Sequence, residues 1–503
     1  MSDKPASHTR GSLLARNAIF SLVSQGAPLL VALFSIPLLI RVLGTDRFGV
    51  LTLAWMVIGY FNLFDVGLSL ALTKLVAEKL GSRQERDIPT LVWTALLLML
   101  ILGLAGMVVV SLLSPWLVHT VLKIPEMLQP ETLNAFYLLA GSIPIVISTA
   151  GLRGVLEAKQ RFALTSAVRL PMGVFTFLGP LAVLPFSQSL FPVVAVLVGG
   201  RVTAWVAHFL LCLHVMPELH HGIRFELSMV RPLLGFGGWV TVSSVVGPLM
   251  VYLDRFLIGS MVSIAAVTYY ATPYEIVTKL WVIPSALMGI LFPAFASSFV
   301  QDRGYTKMLF WRGQKYIFLI LFPLTLVIVT LAEEGLSLWL GADFAKHSTV
   351  VLQWLAIGVF INSLAHVPFF LVQGIGRPDL TAKFHLIELP LYLMAVWWLI
   401  GTQGIRGAAI AWVGRVLLDA VMLFSLAHRL LLQDGPRITR LAGSMGVALL
   451  TLALAMLPMG MIMKGLFLSV TLLIFAFCGW SLILAPDERA LLRNPSKLVS
   501  MLS

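Results

Sequence analysis

Apolar residues in this chain come in long runs separated by short polar segments. The runs fall at about 18–40, 48–72, 90–114, 133–155, 166–186, 190–214, 233–259, 264–298, 315–332, 349–373, 384–402, 405–428, 441–462 and 466–485. A helix that crosses hydrocarbon needs about 20 mainly apolar residues, so the pattern predicts fourteen spanning helices. The run 264–298 exceeds one span. It is expected to tilt, to kink at Pro284 or Pro293, or to project beyond the lipid. The expected fold class is therefore an all-α polytopic membrane protein.

Composition agrees. Of 503 residues, 59% are hydrophobic and 12% charged, against about 25% charged in soluble domains. Lipid can solvate such a surface; water cannot. The formal charge of +12 would suit nucleic acid or a membrane, but no block of five like charges occurs, and the basic residues sit in the segments between apolar runs. Lys and Arg gather on the cytoplasmic side of membrane proteins. With the N-terminus inside, Arg41, Arg47, Lys123, Lys346, Arg406 and Lys464 fall on the opposite side. Arg201, Arg255, Lys279 and Arg415 fall within spans, and the other 25 of the 35 basic residues are cytoplasmic. Both termini are thus expected in the cytoplasm. Residues 1–17 are polar and basic, and the run behind them lacks a small-residue cleavage site, so an uncleaved first span is expected. Every connection is too short for a folded domain of about 50 residues.

A weak repeat divides the chain. Ser24, Pro28, Leu29, Val31 and Leu33 match Ser244, Pro248, Leu249, Val251 and Leu253, and Arg161, Leu164 and Thr165 match Arg377, Leu380 and Thr381 at nearly the same offset. The repeat predicts a six-span N-terminal lobe (1–217), a six-span C-terminal lobe (218–436) and two further spans with a tail (437–503). Six spans is an even number, so the lobes share an orientation. Transporters use such repeats to rock two bundles about a central site. Pro28 and Pro248 occupy matched places and are hinge candidates, beside the ordinary reading that they shape helix packing.

Charges inside spans cost about 2.5–3.5 kcal/mol each on insertion scales, so they persist when paired or when they line a wet cavity. Glu275 with Lys279, and Arg415 with Asp419, are spaced i,i+4 and can pair locally. Asp254 and Arg255 are adjacent, about 100° apart around a helix, and must find partners elsewhere. Asp65 either pairs with Lys74 or lines a cavity. Glu388 is a further acid within a span. Arg201 has no acid among its same-face neighbours Leu197, Val198, Ala204 and Trp205, which points to a cavity, an anionic ligand, or a partner on another helix.

Soluble-enzyme chemistry finds no foothold. There is no phosphate-cradling glycine loop and no metal-ligating His or Cys spacing. Cys212 and Cys478 lie in apolar runs, and His220–His221 reads as a solvated pair. No catalytic residue, metal or cofactor is expected, and no nucleic-acid partner.

Five stretches carry a resemblance. LLARNAIFSLVSQGAPLLVALFSIPLLIRVLGTDRFGVLTLAW (Leu13–Trp55) and FNLFDVGLSLALTKLVAEKLG (Phe61–Gly81) resemble the start of bacterial polysaccharide transporters, the O-antigen-flippase-like family. VYLDRFLIGSM (Val251–Met261), the segment Val267–Ser297, and QGIGRPDLTAKFHLIELP (Gln373–Pro390) resemble the second half of that family. It lies in the multidrug/oligosaccharidyl-lipid/polysaccharide exporter superfamily. The resemblance implies two six-helix lobes in a V, alternating access, and a lipid-linked oligosaccharide, usually on undecaprenyl pyrophosphate, flipped to the outer leaflet of the bacterial inner membrane. Many members have twelve spans, so the last two here are a departure. Under this reading Arg201, Arg255, Lys279 and Arg415 are expected to bind the anionic headgroup. Asp65, Asp254, Glu275 and Asp419 are left as structural or ion-coupling charges, with a proton or sodium ion as the coupling partner. Membrane lipids and other glycan-assembly proteins are further expected partners. A drug or small-cation exporter of the same superfamily is the competing transport reading. A membrane-embedded glycan polymerase or ligase is the competing enzyme, disfavoured by the short loops.

Overall fold

The computed structural model describes residues 7–60, 68–81, 85–159, 161–432, 435–484, 486, 488 and 489. Among these, the secondary structure is helical and no strand occurs. In chain order the helices are α1 (Ser7–Tyr60), α2 (Leu68–Gly81), α3 (Ile88–Trp116), α4 (Gln129–Ala158), α5 (Phe162–Val183) and α6 (Leu190–Val215). Next come α7 (Leu227–Met261), α8 (Ile264–Val277), α9 (Val282–Gln301), α10 (Arg303–Thr330) and α11 (Ala332–Leu340). The chain continues through α12 (Ala342–Gly374), α13 (Pro378–Gln403), α14 (Ile405–Ala427), α15 (Gly435–Ala455) and α16 (Met461–Cys478).

The chain is a multi-pass helical membrane protein. Eight stretches of the described residues are long and apolar enough to cross a bilayer by length and composition. The count of fourteen spans stays an expectation. Large apolar side chains face outward along these helices: Leu112, Ile462, Leu473 and Phe477 are each more than two-thirds exposed, as lipid-solvated surfaces are.

Three local departures from the apolar-run pattern have plain causes. The first run and the start of the second join in a single 54-residue helical stretch interrupted at Gly44, where φ is 77°; only glycine takes that conformation without strain. The long run 264–298 breaks not at Pro284 or Pro293 but upstream, in a 3-10 segment at Thr278–Trp281. Pro284 has no N–H to give to the carbonyl four residues earlier, so the disruption appears before the proline. Between α10 and α12 the short helix α11 was not anticipated; Glu333 and Glu334 occupy its first turn, where carboxylates favour a helix N-terminus.

Residues 26–271 with 385–408 form one compact unit, and 1–25, 272–384 and 409–503 form another. In the first, α4 is central: it packs against α2, α3, α5 and α6, while α7 packs against α2 and α3. At Gly49 of α1 an added Cβ would come within 2.2 Å of the Ile264 carbonyl oxygen, so glycine permits the approach of α8. In the second unit, α12 is central, touching α9, α10 and α11, and α10 also carries α15 and α16. There Trp412 is fully buried and its ring lies where a Cβ on Gly358 would stand.

Helix ends assigned by charge to one side meet each other. In the first unit, Arg47 Nε donates to Glu131 at 2.7 Å, Ser189 Oγ donates to the same carboxylate at 2.7 Å, and Lys123 Nζ donates to the Met261 carbonyl at 2.6 Å. The opposite ends meet through Trp93 Nε1 donating to the Leu219 carbonyl at 3.3 Å and the Glu226 N–H donating to Thr94 at 3.1 Å. In the second unit, Lys464 pairs with Glu334 at 2.8 Å, and Lys315 with Glu488 at 2.5 Å.

Candidate functional site

Within the first unit α1, α4, α5 and α6 enclose a cavity of about 260 Å³. Helical periodicity builds its walls. Val146, Thr149, Ala150 and Arg153 share one face of α4, and Arg201, Ala204 and His208 share one face of α6, because residues three, four and seven apart align on a helix. Arg169 and Met172 come from α5 and Trp55 from α1. Arg153 lies in the last two turns of α4 and Arg169 within the first three turns of α5. Arg201 is near the middle of α6, with His208 two turns nearer its C-terminal end. The basic groups thus extend from helix ends that charge assigns to the cytoplasm toward the interior of α6.

Among the described residues, no acid lines this cavity. Arg153 has a loose partner in Glu157, 3.6 Å away one turn on. Arg169 and Arg201 have no ion pair among the described residues. The cavity also carries buried polar atoms without hydrogen-bond partners, Trp55 Nε1 and His208 Nε2. The other His208 nitrogen, Nδ1, lies 2.8 Å from the Ala204 carbonyl oxygen. Trp55 is held edge-on by Phe48 and Phe177, at 5.8 and 5.3 Å between ring centroids. Three guanidiniums facing one space, each a planar fork of donors, suit a phosphate or pyrophosphate group.

The structure gathers a different set from the one expected. Arg201 is joined by Arg153, Arg169 and His208, not by Arg255, Lys279 or Arg415. Arg255 and Asp254 are in the same unit but buried away from the cavity lining. Asp254 accepts from Tyr270 Oη of α8 at 2.5 Å and from the Arg255 backbone N–H at 2.7 Å. Lys279 pairs with Glu275 at 3.5 Å, both side chains more than a third exposed. Arg415 and Asp419 share a face of α14, Asp419 being buried. Glu388, on α13, is buried as well. Pro28 seats against α5: a Cβ on Gly173 would come within 2.7 Å of its Cγ. Asp65 and the Pro248 side chain lie outside the described residues.

Arg153 and Arg169 escape sequence reasoning because they sit near the cytoplasmic ends of the runs 133–155 and 166–186 and are counted with the cytoplasmic charges; the structure turns both toward the space that Arg201 lines. His208 carries no distinguishing signal except its spacing of seven from Arg201. In the second unit, by contrast, a cavity of about 470 Å³ is walled by Leu319, Ile320, Phe475 and Trp480, with Glu488 and Tyr316 at its edge.

Comparison with known proteins follows the same lines. The family described as polysaccharide biosynthesis protein matches residues 14–299. A protein of Shigella flexneri, provisionally named an O-antigen transporter, is 30% identical over 419 residues, 83% of this chain and 98% of its own length. The lipopolysaccharide biosynthesis protein WzxC of Escherichia coli (strain K12) is 24% identical over 201 residues, 40% of each chain. Among solved structures, the lipid II flippase MurJ in an inward closed conformation superposes with a TM-score of 0.68, at 13% identity, over 92% of this chain and 98% of its own. The inward-facing form of a multidrug resistance transporter of the MATE family gives 0.66, at 12% identity, over 82% and 98%. At these identities the superpositions establish the shared fold.

Proposed function

The chain belongs to the polysaccharide biosynthesis protein family, and from that premise we propose that it flips a lipid-linked glycan from the cytoplasmic to the outer leaflet of the bacterial inner membrane. It works by alternating access between the repeat halves 1–217 and 218–436, with both termini cytoplasmic and no chemical step of its own. The observation that carries this reading is the cavity where Arg153, Arg169 and Arg201 converge, with no acid among the described residues that line it. A guanidinium within a membrane-spanning helix and without an ion pair is costly, and a ligand's phosphates remove that cost on binding.

The geometry suggests how the headgroup is handled. Arg153 and Arg169, near the helix ends, meet the pyrophosphate first; Arg201, deeper along α6, draws it inward, where Trp55 can donate from its indole to an oxygen of the headgroup. The lipid tail stays in hydrocarbon throughout, so only the polar portion needs a protein-lined path. Asp254, held by Tyr270, keeps α7 and α8 in register. Arg255, Lys279 and Arg415 act outside this cavity, and Glu275 and Asp419 serve chiefly to neutralise cations on their own helices.

The test is a proteoliposome assay with a defined lipid-linked oligosaccharide, scoring the fraction that becomes accessible to an external glycosidase. Arg201→Gln and Arg169→Gln are expected to lose flipping while remaining folded. Wild-type rates in both would end the assignment of this cavity.

A further inference from the structure

His208 differs from every other polar group of the cavity because its two ring nitrogens have separate fates. Nδ1 lies 2.8 Å from the Ala204 carbonyl oxygen. A carbonyl only accepts, so Nδ1 carries a hydrogen and donates. In the neutral ring Nε2 is then a bare lone pair. That atom is buried, has no hydrogen-bond partner, and belongs to a side chain only 3% exposed that lines the cavity. An acceptor is the wrong group to offer a phosphate, whose oxygens also only accept. A proton on Nε2 turns it into a donor of the right kind.

The surroundings decide when that proton is held. The charged groups facing His208 are Arg153 and Glu157 from α4, Arg169 from α5 and Arg201 from its own helix; α1 contributes the uncharged Trp55. With the cavity empty, three guanidiniums against one carboxylate oppose an imidazolium. A bound doubly charged anion reverses the local sign and supplies an acceptor for Nε2–H.

We propose that His208 is a proton-binding residue of this cavity, neutral when the cavity is empty and protonated when a pyrophosphate-class anion is bound, so that headgroup binding and uptake of one proton are linked. The proposal rests on the cavity being the headgroup site. Linkage gives it a direction: the complex holds more protons than the free protein, so affinity falls as pH rises. The proton arrives from solvent and leaves again when the anion is released, so flipping carries it along with the headgroup.

The experiment uses the full chain in nanodiscs and dimethyl pyrophosphate, one methyl on each phosphorus, a probe that stays doubly ionised between pH 6 and 8. Calorimetric titrations in buffers of different ionisation enthalpy count the protons taken up. Wild type is expected to take up close to one proton per anion at the alkaline end, with affinity falling by up to about tenfold per pH unit. His208→Asn, which keeps a donor for the Ala204 carbonyl but has no Nε2, is expected to bind independently of pH. Arg201→Gln is expected to bind at least about tenfold more weakly throughout, the worth of one charged hydrogen bond. No proton uptake by the wild type, whatever the variants do, overturns the proposal. So does an unchanged pH dependence in His208→Asn. Either result leaves the cavity reading standing if Arg201→Gln still weakens binding; an Arg201→Gln variant that binds normally removes the cavity reading itself.

Discussion

The cavity cations of one compact unit and the paired cations of the other differ in what stands beside them. In the unit of residues 26–271 with 385–408, Arg169 and Arg201, with Arg153 beside its loose partner Glu157, converge on a space that no acid among the described residues lines. In the unit containing 272–384 and 409–503, Lys279 has Glu275, Lys315 has Glu488 and Lys464 has Glu334. The cavity in that second unit is walled mainly by Leu319, Ile320, Phe475 and Trp480. A paired charge is already satisfied and serves insertion and packing. A charge held apart from acids keeps its attraction for something that arrives later. The contrast therefore separates structural cations from a candidate binding set, which counting charges along the sequence cannot do.

Substitutions can break the contrast from either side. The largest effect is expected from Arg201→Gln, which removes the deepest guanidinium of the cavity. Flipping rates in proteoliposomes should fall by about ten- to a hundredfold, the worth of one or two charged hydrogen bonds. Next comes Thr149→Asp, which puts a carboxylate into the cavity. The new carboxylate competes with the headgroup for the guanidiniums, so flipping should fall by roughly tenfold while thermal stability holds or rises, because a costly cation gains a partner. A stability loss without a transport defect would show that the missing acid has no bearing on function.

The paired unit should respond the other way. Glu488→Gln leaves the Lys315 ammonium, only 17% exposed, without its carboxylate, and Tyr316 loses an ionised acceptor. Stability should drop by about 1–3 kcal/mol, read as a lower unfolding midpoint in detergent, with flipping per folded molecule unchanged. The smallest effect concerns Glu334. Burial pushes its carboxyl upward, but the hydrogen bond and charge of Lys464 outweigh that and hold it below the ordinary carboxylate range. A carboxyl lowered by folding contributes stability that is complete above its unfolded value of about 4.3. That contribution is lost as pH falls through the lower folded value. Unfolding midpoints taken between pH 6 and pH 3 should show this acid-side loss in the wild type and a shallower one in Glu334→Gln.

Much of this molecule was legible before any coordinates. The apolar runs are long enough that backbone polar groups must be satisfied within each helix, so helix and membrane follow from run length alone. That Arg201 has no acid on its own helix face was also legible, since one helix turn in either direction decides which neighbours share that face. The break at Thr278–Trp281 follows from Pro284 once the missing N–H is traced four residues back, although the sequence pattern alone pointed to the proline itself.

The companions of Arg201 were decided by packing. Arg153 and Arg169 look like cytoplasmic surface charges because each sits within about a turn of the end of its apolar run, and run position alone does not say which way a side chain faces. Which face of α4 meets which face of α6 depends on crossing geometry summed over whole helices, and no local signal encodes it. The same holds for Asp254, whose partner Tyr270 lies on the next helix. Local periodicity determined the helices and left Arg201 without an acid on its own face; tertiary packing alone determined that three guanidiniums and a histidine share a single space, because meeting across helices is a property of the assembled bundle and not of any segment in it.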